Sequence, residues 1–490
     1  MGAHAELPAR GAHLLKLRRV HRPHAARLRD RLLGAPCALI AAGSLVACAA
    51  SPAQAPTLAA GANWSAPSTL SDCGGEHPQV VFPSEEPTHA SGPGAIVWSG
   101  SAGCADGAGA RVAQITSADM PRAGAPPRTG AGRRIAPLGP LAASGAPHGE
   151  IAVAGVSPSD ARGGLAIQGR VGGAFAAIAP ASGFSAPFAL ARGYLGDLAL
   201  AAPARGGARA GALALHVERY FGGAFTRNQR AGAGREPPQA LTLALDYRTD
   251  ALVVWTHDGA LYARDMPGRG APHAIQRVAT AVGSHVSIAA VLSDDYRGII
   301  VWSEQHGPLT SVYLDQSAVG VRFGAPKLLE RFRDADGLAA PAASPRLVRL
   351  SNESVMLAWA GVEAGHWVVR TAAIDQRGIG APGTIAAPAA DALLCDLAAG
   401  PADDALLLWA VPQTGEGGAP DLQHEALLAA RGSDVRPRRT VFGAPEQVAA
   451  AGPYSEPSLA LDPDSDRALA VWRSEGGALQ YAVRSAGAGR

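Results

Sequence analysis

The sequence predicts an all-β chain, a β-propeller of seven or eight four-stranded blades, closed by an N-terminal strand that completes the last blade. Three observations predict it: a short apolar strand ending in tryptophan that keeps returning, a proline-bearing segment that follows it in most units, and a stray copy of that segment near the N-terminus. The tryptophan strand ends at Trp98 (Ala-Ile-Val-Trp), Trp255 (Leu-Val-Val-Trp), Trp302 (Ile-Ile-Val-Trp), Trp359 (Met-Leu-Ala-Trp), Trp409 (Leu-Leu-Leu-Trp) and Trp472 (Leu-Ala-Val-Trp). Self-similarity on this scale marks stacked or radial repeats.

One unit reads in full near the C-terminus. Residues 458–462 form a first strand, 463–466 a turn of Asp and Pro, 468–472 a second strand, 474–477 another turn and 479–484 a third strand. Short β-prone runs bounded by Gly, Pro and Asp are strand and hairpin signals. Upstream units add a fourth segment, Phe-Gly/Ser-Ala-Pro, at 184–187, 323–326 and 442–445, and without the Phe at 270–272 and 380–382. Proline is tolerated at sheet edges, so this segment is the outermost strand. The final unit has no such segment after its third strand, whereas Trp-Ser-Ala-Pro-Ser-Thr-Leu at 64–70 has no first strand before it. One terminus completing the blade begun by the other closes a ring without a bare sheet edge. Gln168 and His216 take the tryptophan's place in two degenerate units, which gives eight blades. The interval from His216 to Trp255 lacks an Ala-Pro segment, so seven blades with one irregular insertion is the other count.

Composition agrees with a folded chain. The 490 residues are 47% hydrophobic, and 60 glycines and 38 prolines lie below the level of structureless low-complexity sequence. Residues 1–55 differ from the rest: a basic region from Lys16 to Arg31, an uncharged run over 32–50, then Ala53-Gln54-Ala55. That is the layout of a secretory signal peptide, leaving 56–490 as a single propeller domain. Leu45-Val46-Ala47-Cys48 resembles a bacterial lipobox, which makes Cys48 a lipidation candidate. The expected location is therefore secreted or attached to the outside of the cell membrane, with no transmembrane span in the mature protein. The basic excess belongs entirely to the leader. The formal charge of +2 becomes −4 without it, and no basic face argues for nucleic acid. In an oxidising compartment Cys73 and Cys104 form a disulfide candidate across the ring's seam, and Cys395, inside an apolar strand, reads as a buried small hydrophobe.

The tryptophans read as packing between blades, with Trp367 the least repeat-like. Asp462, Asp464 and Asp466 have the alternating spacing of a calcium loop. Arg467 stands where glycine is needed and the twelfth position is not acidic, so they are weak candidates and no cofactor is expected. No Gly-x-Ser-x-Gly elbow, His-Glu-x-x-His or phosphate-binding glycine loop occurs. The remaining candidates are positional. Gln79, Glu150, Asp197, Gln239, His285, Arg346, Asp391 and Glu456 lie near the expected starts of the innermost strands, where they would ring the axis.

Asp-rich turns followed by a strand and Trp, as in residues 246–255, loosely resemble the bacterial sialidase-like (BNR/Asp-box) propellers. The resemblance implies the scaffold. The arginine triad, the Tyr–Glu nucleophile pair and the acid/base aspartate of such an enzyme have no matching positions here. The expected function is an exported, non-catalytic propeller that binds a glycan or protein at the cell envelope. The alternative is a divergent glycan hydrolase or lyase using acids at the axis.

Overall fold

The computed structural model describes residues 63–485 apart from 73, 83, 87–88, 91–93, 101–108, 116–132, 137–140, 146–150, 157–162, 169–174, 179–183, 194–196, 205–212, 222–223, 235, 294–296, 319–321, 334–343, 386–390, 401–402, 415–419, 434, 436–440, 453, 463–466 and 475. The chain folds as an eight-bladed β-propeller. The innermost strands are Glu76–Val81, Leu141–Gly145, Ala189–Arg192, Leu241–Leu245, Ser284–Leu292, Arg346–Arg349, Leu393–Ala399 and Ser455–Leu461, and they number blades 1 to 8. Each inner strand touches that of the next blade, and Ser455–Leu461 touches Glu76–Val81, so the ring closes on itself. Within a blade the strands run antiparallel from the axis outward. In blades 6 and 7 the outer strand is split into two pieces, Gly378–Ile379 with Gly383–Thr384 and Val441–Phe442 with Glu446–Gly452.

The second strand of each blade lies between two neighbouring sheets, which is why it is apolar throughout rather than alternating. Trp98, Trp302, Trp359, Trp409 and Trp472 are at most 1% exposed. The apolar core is accordingly a series of layers between successive blades, such as the one joining Val301 and Phe332 of blade 5 to Leu357 and Trp359 of blade 6. Trp367 is also buried, edge-on to Phe332 at 5.2 Å. All of the tryptophans are packing residues.

The closing strand takes its expected place. Ser68–Ser71 is the outer strand of blade 8 and pairs with Leu479–Arg484, Ser68 opposite Tyr481 and Ser71 opposite Leu479. Trp64 bridges to Arg484 and is buried between blades 7 and 8. The Ser65 N–H donates to Val483 O at 2.8 Å, and the Val483 N–H donates to the Ser65 hydroxyl at 3.0 Å. Elsewhere the Phe-Gly-Ala-Pro segments enter outer strands, Lys327–Arg333 in blade 5 and Glu446–Gly452 in blade 7. Their aromatic rings need a facing glycine: a Cβ on Gly298 or Gly432 would lie 3.1 Å from Phe323 or Phe442.

Blades 2 and 3 correct the sequence reading. Their second strands are Ile151–Val156 and Leu198–Ala204, so Gln168 and His216 lie on third strands, one strand later than assigned. Phe184 accepts from Gly163 of blade 2 and bridges to Ala204, and its segment leads into the inner strand of blade 3. Both second strands are Ala-rich and carry no tryptophan. Their third strands reproduce the Leu-Ala-x pattern and so imitate the marker. The total of eight blades is unaffected.

Candidate functional site

Up-and-down strand order places three kinds of segment at one end of the ring: the starts of the inner strands, the hairpins between second and third strands, and the links between blades. We call this end the entry face. The turns between first and second strands lie at the other end.

Three inner strands begin with the same irregularity. The register with the second strand shifts between Glu76 and Gln79 in blade 1, between Ser284 and Ser287 in blade 5, and between Ser455 and Ser458 in blade 8. The displaced residues His77, His285 and Glu456 have φ of 50°, 50° and 52°. A side chain in this left-handed region costs about 1–2 kcal/mol, which glycine would avoid. Bulges re-aim side chains, and strained non-glycine positions concentrate where a side chain is needed. His77 Nδ1 lies 2.9 Å from Glu456 Oε1, and its N–H donates to Glu456 Oε2 at 2.6 Å. His285, also exposed, stands on blade 5, halfway round the ring from blade 1.

More histidines stand on the same face, each beside a carboxylate. His257 Nε2 is 3.0 Å from Asp258, His306 Nε2 is 3.1 Å from Glu304, and His366 Nδ1 is 3.8 Å from Asp391. The blade 4 and blade 5 hairpins adjoin the start of Ser284–Leu292: Val282 N–H donates to Gly259 O at 2.7 Å, and a Cβ on Gly283 would lie 3.1 Å from the His306 ring. His257, His285 and His306 therefore belong to one neighbourhood of the entry face.

Just inside the bulges, polar side chains fasten one inner strand to the next. Gln79 accepts from Ala143 N–H at 2.7 Å, Ser458 from Val80 N–H at 3.3 Å, and Asp396 from Leu459 N–H at 2.8 Å. Arg346 Nε lies 3.8 Å from Asp396 Oδ1 and extends this belt to blade 6. Burial pushes the Asp396 carboxyl up against the pull of Arg346 and of its backbone donors.

One acid in this region is set apart by its environment. Glu425, on the third strand of blade 7 opposite Gly452, is 6% exposed, and burial pushes its pKa to about 7. Tyr454 lies over Gly452, where a Cβ would be 3.4 Å from its ring, and meets Trp472 edge-on at 5.8 Å. Burial, with the charge of Glu425, pushes the phenol to about 12. Burial and the same carboxylate raise Cys395 to about 12, so it stays a thiol, and it packs against the core between blades 7 and 8.

The positional candidates thus divide. His285, Arg346 and Glu456 stand at inner-strand starts. Asp391 lies just before the blade 7 inner strand, where it caps the Trp367 N–H at 2.7 Å. Asp197 does not reach the axis. It precedes a second strand at the opposite end of the ring, 4% exposed and 3.9 Å from Arg219. Burial raises its pKa against the pull of Arg219. Glu150 lies outside the described residues, and the strand that follows it is likewise a second strand. The blade 2 and 3 misalignment explains the displacement of Asp197. Cys73, Cys104, Asp464 and Asp466 also lie outside the described residues. Asp462 is fully buried and closes its turn by donating its N–H to Arg467 O at 2.8 Å, while Asp246 accepts from the N–H groups of Arg248 and Asp250 at 2.9 and 2.8 Å. These turn aspartates serve the backbone. His77, Glu425 and Tyr454 were missed. The Glu-His-Pro-Gln, Ser-His-Val-Ser and Ser-Glu-Pro-Ser echo at 76–79, 284–287 and 455–458 was the available signal for the bulges.

No protein-family model and no curated protein matches the chain. Among solved structures it is similar to a family PL25 ulvan lyase bound to -[GlcA(1-4)Rha3S]-, with TM-score 0.46 and 11% identity over 86% of this chain and 96% of that one. It is also similar to the polysaccharide lyase Uly1, with TM-score 0.41 and 10% identity over 86% and 99%. A prolyl endopeptidase structure gives TM-score 0.42 and 12% identity over 82% of this chain and 54% of that one. Such distances carry no chemistry across, and the propeller architecture rests on the strand pairing itself.

Proposed function

We propose that the protein is an exported binding module whose entry face takes a glycan or protein ligand at the cell envelope. The observation that carries this reading is the repeated left-handed bulge presenting His77, His285 and Glu456. Three blades keep a strained polar side chain at equivalent positions where glycine would relieve the strain. Two described acids near the axis are engaged with backbone N–H groups, Asp391 with that of Trp367 and Asp396 with that of Leu459. That favours binding over turnover. The Asp-box resemblance contributes the scaffold and no sialidase chemistry.

His285→Gly separates the two demands. Folding stability should hold or rise by up to about 1 kcal/mol as the left-handed strain is relieved. Binding to envelope extract or a glycan array, measured with residues 56–490, should fall. Arg346→Ala is the less clean variant, because Arg346 also supports Asp396.

Glu425 favours a second, catalytic reading. A carboxyl with a pKa of about 7 is suited to proton transfer at neutral pH. Glycan turnover abolished by Glu425→Gln, with binding retained, would establish it in place of the first.

Export is part of the proposal. Among the described residues no helix is long and apolar enough to cross a membrane. Mass spectrometry of the mature chain is expected to show an N-terminus at Pro56, or an acylated Cys48 if the lipobox is used. An intact 1–55 leader on cell-associated protein would contradict export.

A further inference from the structure

The closing segment has the properties of a separable ligand. We infer that the outer edge of blade 8 is a peptide-accepting groove, and that residues 63–71 of one copy fill this groove in a second copy when copies are crowded.

Recognition is concentrated in the segment's own side chains. Trp64 enters the apolar layer between blades 7 and 8, and Leu70 packs on the layer between blades 8 and 1. The Asn63 amide donates to Glu446 Oε1 at 3.1 Å, and the Ser65 hydroxyl accepts from Val483 N–H at 3.0 Å. Backbone pairing with Leu479–Arg484 supplies the rest. An extended peptide that adds a strand while its side chains fill pockets is a recurrent mode of recognition.

The receiving groups are assembled from the rest of the chain. Arg484 holds Glu446 through Nε at 2.9 Å and Nη2 at 2.8 Å, so the acceptor for Asn63 is in place without the segment. In blades 5 and 7 the matching aromatic segment is continuous with the third strand of its own blade. In blade 8 the outer strand comes from the far end of the chain, so it can leave without drawing another blade strand with it. Residues 72–74 join it to blade 1, with Gly74 at φ 63°. From Gly75 onward the chain is fastened again, by the Gly75 N–H donating to Gly477 O at 3.0 Å.

Exchange of an identical element makes the same contacts in trans as in cis. Closure within one chain competes at an effective concentration on the order of millimolar, so dimers belong to crowded conditions. A severed segment reveals the intrinsic affinity.

The test uses the full chain carrying a protease site in place of residues 72–74, cut after folding. A fluorescent peptide of residues 63–71 should exchange into the cut protein with saturable binding. The Trp64→Ala peptide should bind at least about tenfold more weakly, since a buried aromatic anchor dominates such interfaces. In parallel, two differently tagged intact chains, warmed together at about millimolar concentration, should co-purify as a mixed dimer, and Trp64→Ala chains should not. Failure of the free peptide to bind after the native segment has left would overturn the inference. So would a cut segment that never exchanges, intact chains that form no mixed dimer, or dimers that form equally well with Trp64→Ala.

Discussion

Deletion of residues 56–72 is expected to destabilise the protein far beyond the loss of a half-exposed strand. Trp64 alone buries an indole between blades 7 and 8, and a Trp→Ala change in a core costs about 3–5 kcal/mol. The deletion also removes the backbone partners of Leu479–Arg484 and leaves a bare sheet edge, which promotes association. Trp64→Ala should therefore lose about 3–5 kcal/mol in urea unfolding, and the deletion should lose more and aggregate. The Glu446 carboxyl adds a pH dependence of its own. Burial works to raise it, but the Arg484 guanidinium and the Asn63 amide outweigh that and hold it below the usual value of 4.5. Its contribution is present above that value and is lost as pH falls through the lowered one. A deletion that unfolds like the intact chain would mean that blade 8 does not depend on the N-terminal strand.

Glu425→Gln is expected to stabilise the protein at pH 8 and to leave it nearly unchanged near pH 4. The carboxyl keeps its proton in the fold up to about 7, whereas its ordinary value is 4.5. Between those values the folded chain binds more protons than the unfolded one, so stability falls as pH rises and levels off above 7. The gap corresponds to about 3 kcal/mol at pH 8, which glutamine avoids by never ionising. Urea unfolding from pH 4 to pH 8 should show the wild type declining across this window and the variant flat. Equal slopes would mean that the Glu425 carboxylate is better solvated than its burial implies. A variant that is the more stable at pH 8 would mean that the acid is retained at a cost in stability.

The architecture was legible wherever chemistry marked the strands. A tryptophan closes the buried second strand in six blades and Ala-Pro marks several outer strands, so blades 4 to 8 and the closing strand follow from sequence. Blades 2 and 3 do not, because alanine fills their second strands and nothing distinguishes those from the third. That one-strand slip carried Asp197 into the axial ring. His285, Arg346 and Glu456 were placed at the axis by counting strands, but counting could not show that Arg346 supports Asp396 while His285 sits on a left-handed bulge. Glu425 was invisible for a different reason. Its perturbation comes from burial beside Tyr454 and the blade 7–8 core, a relation between segments that no local pattern records.

Amide hydrogen exchange of residues 56–490, with and without the ligand recovered from an envelope or glycan screen, tests whether function resides on the entry face. Protection on binding should appear at 76–79, 282–288 and 455–458, where the bulges and the adjoining histidine hairpin meet solvent. Protection confined to the opposite turns, at 246–250, 351–354 and 403–404, with the entry face unchanged, would contradict it.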